Sequence, residues 1–207
     1  MKDTPALRLA ITGAPRTGKT TVCTALSLVT GLDYATISNH LAAPTGERRL
    51  AYTVEAPVRA FEQRIDTESR LTGFISDGSV LHEWAAAEAL RRTRRLSHWI
   101  RNPRDLPYRV FEQRFLGALA DIVNRRARST YHGFVHLRLD QDNTDDDVDT
   151  FRITTDQLLR DAIHDSALPY VVTAGSIEDI VTSVAGMFQL PLLMPVTDAV
   201  TAALHAA

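Results

Sequence analysis

The residues best suited to chemistry lie near the start of the chain, in the run Gly13-Ala14-Pro15-Arg16-Thr17-Gly18-Lys19-Thr20. Two glycines with four residues between them, followed by Lys and Thr, fit a loop whose backbone N–H groups wrap a polyphosphate at a helix N-terminus. In such a loop Lys19 neutralises charge on the β- and γ-phosphates, and the Thr20 hydroxyl is a ligand for Mg²⁺. Residues 13 to 21, closing on Thr21, are the candidate nucleotide cradle. Lys2 and Lys19 are the only lysines in a chain whose other cationic side chains are arginines. A compact ammonium has therefore been kept where a point charge suits phosphate.

The flanks agree with the motif. Residues 7 to 12 (LRLAIT) read as a short buried strand and residues 21 to 29 as an apolar helix, the strand–loop–helix setting such a loop requires. Cys23 falls within that helix as a small core residue.

A second acid stands further on. Phe74-Ile75-Ser76-Asp77 reads as an apolar strand ending in a carboxylate. In an open α/β sheet, ligands bind at the carboxyl ends of the strands. If this strand lies beside the first, Asp77 can take a proton from an acceptor hydroxyl or hold Mg²⁺ with Thr20. The competing reading makes Asp77 a cap for the helix that follows near Val80.

The remaining elements alternate. A short strand is expected over 34–38, helices from Pro57 to about Leu71, 80–96 and 108–126, and a strand over 134–139. A helix over 154–166, a strand over 169–173, a helix over 176–188 and a short terminal helix complete the order. Strands alternating with helices predict an α/β fold with a parallel sheet covered on both faces. Residues 1–189 make one domain, with substrate and lid elements within 36–70, 80–128 and 140–156, and residues 190–207 are an extension.

Asp77-Gly78-Ser79-Val80-Leu81-His82-Glu83-Trp84, taken with the phosphate loop, is similar to a family of small AAA-type P-loop proteins. That family is related to nicotinamide riboside kinase and, more distantly, to nucleoside and nucleotide kinases. The resemblance runs from about residue 7 to residue 189 and implies the three-layer α/β/α fold of nucleoside and nucleotide kinases. It implies ATP and Mg²⁺ as cofactors and Asp77 as base or metal-linked acid. It also implies Arg152, after the acidic loop, as a lid arginine over the phosphates, and Gly175 and Ser176 near the adenine. Ser176 reads equally as a helix N-cap. Those relatives carry an arginine, touching phosphate or substrate, where this chain has Gly78, so a different arginine must stabilise charge here or the activity differs.

The function expected is transfer of the γ-phosphoryl group of Mg-ATP to a hydroxyl of a nucleoside, nucleotide or related metabolite, with an antibiotic pathway as a special case. Lys19, Asp77 and Arg152 are its catalytic candidates; Thr20 and Asp77 are the metal ligands. The alternative is an NTPase switch or regulatory module without a small-molecule acceptor, or a nucleotide-binding protein that has lost catalysis. A GTPase is disfavoured because a guanine-reading N-K-x-D cannot exist where the only lysines are Lys2 and Lys19. An oligomeric AAA+ motor is disfavoured because the acidic strand ends Ser-Asp-Gly.

The basic stretch Arg91, Arg92, Arg94, Arg95, Arg101, Arg104 and Arg109 reads either as a solvated helix face or as a steering patch for a phosphorylated acceptor. Asp140, Asp142, Asp145, Asp146, Asp147 and Asp149 read as a surface loop, lacking the glycine and glutamate of a Ca²⁺ loop. Net charge is −2 over 207 residues, which gives no case for nucleic acid. No apolar run reaches membrane-spanning length, and the single cysteine suits a reducing cytoplasm. The partner expected is the small-molecule acceptor; a homodimer is left open.

Overall fold

The computed structural model describes residues 7–37, 51–93, 106–139 and 146–206. Five strands, β1 (Arg8–Gly13), β2 (Asp33–Ala35), β3 (Phe74–Asp77), β4 (Gly133–Leu137) and β5 (Tyr170–Thr173), form one parallel sheet in the order β2-β3-β1-β4-β5. The chain leaves β1 for the β3 side, then returns to pair β4 on the other. This reversal opens a crevice above the carboxyl end of β1, where open α/β sheets bind ligands.

The helices are α1 (Lys19–Thr30), α2 (Ala56–Ser69), α3 (His82–Thr93), α4 (Leu106–Thr130), α5 (Asp146–Asp165), α6 (Ile177–Met187) and α7 (Val196–Ala206). A π-helical turn, Ala51–Glu55, leads into α2, and Pro57 sits in the first turn of that helix. Alternation along the strands assigns each side chain to a layer. Leu9, Ile11, Ile75, Val135 and Leu137 face one core with α1, α6 and α7. Ala10, Phe74 and Phe134 face the other with α3, α4 and α5. Each fully buried Leu, Ile or Phe contributes about 1.5–3 kcal/mol relative to exposure. The result is a three-layer α/β/α P-loop NTPase fold.

One local finding differs from the sequence expectation. Helix α5 starts at Asp146, eight residues before the predicted 154. Acidic residues in a first helical turn complement the helix dipole, so part of the Asp run begins a helix instead of continuing a loop. Arg152 consequently lies inside α5 rather than ahead of it. Residues 190–206 pack onto the domain: Ala199, Val200 and Ala203 join the core beside α1, and the Leu193 N–H donates to the Val29 carbonyl at 2.7 Å. Residues 38–50, including most of the irregular 39–52 stretch, and Arg94, Arg95, Arg101, Arg104, Asp140, Asp142 and Asp145 lie outside the described residues. No helix among the described residues is long and apolar enough to cross a membrane.

Candidate active site

The phosphate loop leaves β1 at Gly13, whose backbone has φ +149°; a Cβ there would sit 2.7 Å from the Leu137 carbonyl oxygen of β4. Only a residue without a side chain lets the loop pass that close to the neighbouring strand. Arg16 adopts φ +65° at the loop tip. Gly18 occupies the N-cap of α1 and no side chain caps that terminus. The first N–H groups of α1 are thus not consumed by a capping side chain, the condition for an anion site at a helix end. Thr17 Oγ1 donates to the Ala14 carbonyl at 2.9 Å, and Lys19 Nζ donates to the same oxygen at 2.7 Å. Burial lowers the Lys19 pKa, while the Asp77 carboxylate opposes the shift.

Strand β3 lies directly beside β1, with Ile11 in register with Asp77. That adjacency puts Asp77 over the loop: its Oδ2 accepts from Thr20 Oγ1 at 2.8 Å and from Tyr34 OH at 2.9 Å. Burial, followed by the Asp77 charge, raises the Tyr34 pKa, so the phenol keeps its proton. The other reading of Asp77, as a helix cap, fails: α3 begins at His82, and the Leu81 N–H is taken by Ser79 Oγ. A hydroxyl beside a carboxylate is a pair of hard oxygen donors, the chemistry Mg²⁺ prefers when phosphates supply the remaining positions.

A buried polar network supports the Asp77 turn. Arg64 of α2, 2% exposed, donates from Nη1 to Ser76 Oγ at 3.0 Å and to the Asp77 carbonyl at 3.2 Å. Its Nη2 lies 3.6 Å from Glu83 Oε1. Ser76 and Tyr131 both donate to Glu68 Oε1, and the Tyr131 oxygen accepts from the Val80 N–H. Burial raises the Glu68 and Tyr131 pKa values. Gly78 has φ +93°, and a Cβ there would come within 3.0 Å of Arg64 Nη2. The guanidinium of Arg64 therefore stands directly against the Cα of Gly78.

On the β4 side, Arg152 Nε donates to the Pro15 carbonyl at 3.2 Å, bringing α5 onto the phosphate loop. One turn later Asp156 Oδ1 accepts from His136 Nε2 at 3.0 Å, and His136 Nδ1 meets the Thr12 hydroxyl at 3.1 Å. Between these elements opens a cleft of about 560 Å³, lined by Arg16, Thr17, Arg138, Arg152 and Gly175 among others. Gly175 faces it, whereas the Ser176 hydroxyl is taken up as the N-cap of α6, accepting from the Asp179 N–H at 3.1 Å.

The structure thus gathers Lys19, Thr20, Asp77 and Arg152 around one loop, with Gly175 at the far wall of the cleft. Thr21 lies in the first turn of α1. From the basic stretch, Arg91 and Arg92 both pair with Glu88; Glu88 is buried and Arg91 nearly so, so of these two only Arg92 belongs to a solvated face. Sequence reading missed Tyr34, Arg64 and His136, and noted His82 only within the run that carries the family resemblance. Only Tyr34, in a predicted strand whose end faces the loop, carried a signal that could have found it. Burial raises the Cys23 thiol pKa, and its Sγ lies 3.8 Å from the Ser76 carbonyl. Among the described residues no three His, Cys, Asp or Glu side chains converge on a common point.

No protein-family model matches the chain. No curated protein matches it either. Among solved structures the fold is similar to deoxyadenosine kinase from M. mycoides with bound dATP, at a TM-score of 0.53 and 10% sequence identity. The match covers 88% of this chain and 100% of that one. At that identity the likeness is one of fold.

Proposed function

We propose that the chain is an ATP-dependent kinase that phosphorylates a hydroxyl of a nucleoside or closely related metabolite. The observation that carries this reading is the 2.8 Å contact between Thr20 Oγ1 and Asp77 Oδ2. It places an acid from the neighbouring strand at the uncapped N-terminus that follows the phosphate loop. The fold of the solved neighbour, a deoxyadenosine kinase, supports a nucleoside-type acceptor.

In this reading the triphosphate lies along residues 13–20, and the donor base enters the cleft toward Gly175. Asp77 Oδ2 is held by Thr20 and Tyr34, while Oδ1 has no hydrogen bond among the described residues and faces the acceptor. The acceptor O–H loses its proton to Asp77 as its oxygen bonds to the γ-phosphorus, and the γ-phosphorus–oxygen bond to the β-phosphate breaks to release ADP. Lys19 and Arg152 stabilise charge that builds on the transferred and leaving oxygens. Bound at Thr20 and Asp77, Mg²⁺ supplies further charge neutralisation and orients the phosphates.

The test is ADP release from Mg-ATP with and without a panel of deoxynucleosides, nucleosides, nucleotides and ribosylated metabolites. Release that depends on a nucleoside-type acceptor, with a phosphorylated product by mass, is the expected result. Steady ATP hydrolysis indifferent to every acceptor would instead support an NTPase switch.

A further inference from the structure

His82 is half-buried at the start of α3, and neither proton transfer nor phosphate binding calls on it. Its ring spans two parts of the site. Nδ1 accepts from the Ser79 N–H at 3.0 Å, so that nitrogen carries no proton. The proton resides on Nε2, which donates to the carbonyl of Gly13 at 3.3 Å. Ser79 is two residues beyond Asp77, and Gly13 is the first residue of the phosphate loop. No other side chain among the described residues bridges these two segments of backbone.

We propose that His82 is a positioning residue: its neutral ring fixes the first residue of the phosphate loop against the Asp77 turn, so that the loop and the acid keep a constant separation. The idea rests on the kinase reading for its effect on turnover, but not for its effect on the loop. The charged and titratable groups facing the ring are Lys19 from α1, Arg64 from α2 and His136 from β4, the last paired with Asp156 of α5. Burial, then the positive charges of Lys19 and Arg64, pushes the His82 pKa well below the usual histidine value. The environment therefore favours the one state that can accept from Ser79 and donate to Gly13 at the same time. A second proton on Nδ1 would turn it toward the Ser79 N–H, donor against donor.

The decisive comparison is His82→Ala against His82→Gln, since an amide keeps one donor and one acceptor and does not titrate. Hydrogen exchange of the amides in residues 13–20 and 78–81 is read first, because it needs no acceptor. It should speed up at least tenfold in the Ala variant, return most of the way in the Gln variant, and stay constant in α6. In the acceptor-dependent assay, kcat should fall at least tenfold in the Ala variant with KM for ATP changing less than threefold. The Gln variant should recover kcat and flatten any acid limb of the wild-type profile. Histidine ¹⁵N shifts of the wild-type protein should show the neutral Nε2–H form at pH 6 to 8; this and the Gln variant decide the matter should the Ala variant fail to fold. Unchanged exchange in the Ala variant, a Gln variant no better than Ala, or an Nδ1–H or doubly protonated ring at neutral pH would each overturn the proposal. If no acceptor supports turnover yet exchange behaves as stated, the kinase reading fails and the positioning role stands.

Discussion

The two flanks of β1 are built differently. On the β3 side, Thr20, Tyr34, Asp77, Arg64, Glu68, Ser76 and Tyr131 are joined by hydrogen bonds, many of them buried, and His82 ties Gly13 to Ser79. On the β4 side, a cleft of about 560 Å³ is lined largely by strand ends and arginines. A network of buried polar groups is costly unless every member is satisfied, and when satisfied it fixes geometry. The flank with Asp77 is therefore the more tightly held, although Arg64 Nε and Glu83 Oε2 find no hydrogen-bond partner there among the described residues. The flank with Gly175 is suited to receiving a nucleotide whose phosphates are already anchored.

Substitutions on either flank sharpen or break this contrast. Lys19→Ala, at the boundary between them, is expected to abolish measurable phosphoryl transfer, a loss on the order of 10³-fold or more in kcat. Retained turnover by single-turnover assay would remove the loop from catalysis altogether. On the rigid flank, Asp77→Asn should lower kcat by about 10²-fold or more while ATP affinity by calorimetry moves little. An unchanged rate would strip Asp77 of its role. On the open flank, Arg152→Ala should cost about tenfold in kcat/KM for ATP. A loss as large as that of Asp77→Asn would erase the distinction between the flanks. The smallest effect is expected beyond the cleft, where Ser176→Ala should lower stability by about 1 kcal/mol through the lost N-cap, read by urea denaturation, with kcat intact.

The rigid flank also makes stability depend on pH. The folded pKa of His82 lies below its unfolded value. The unfolded chain thus binds the extra proton first, and stability falls as pH drops below about 6.5. Urea midpoints measured between pH 5 and 7.5 should show this slope, and it should flatten in His82→Gln.

What the sequence made legible was local. The phosphate loop is a contiguous run, and Asp77 ends an apolar strand, so both could be read from spacing alone. That the Asp77 strand lies beside β1 was only a condition of that reading, and the strand order comes from the structure. The supporting residues were not legible because their partners are distant along the chain: Arg64 meets Asp77, Tyr131 meets Glu68, and His136 meets Asp156, in pairs with no period and no motif. Arg64 fell inside a helix expected over 57–71 with nothing to single it out, and Tyr131 fell between an expected helix and an expected strand. The early start of α5 escaped for a different reason. Consecutive aspartates suit both a solvated loop and the first turn of a helix, and only packing against the sheet decides between them.

The contact between Leu193 and the end of α1 bears on how the protein is made. The helix that begins at Lys19 closes at Gly31, and the Val29 carbonyl in its last turn receives the Leu193 N–H, while Ala199, Val200 and Ala203 complete the layer beneath it. During synthesis, the nucleotide-binding end of the chain leaves the ribosome early but lacks this backing until residue 203 has emerged. A nascent chain stalled near residue 185 would expose the apolar flank of α1, including Val22, Leu26 and Val29. Nucleotide affinity should then rise in step with chain length between 185 and 206, and not with completion of the loop itself.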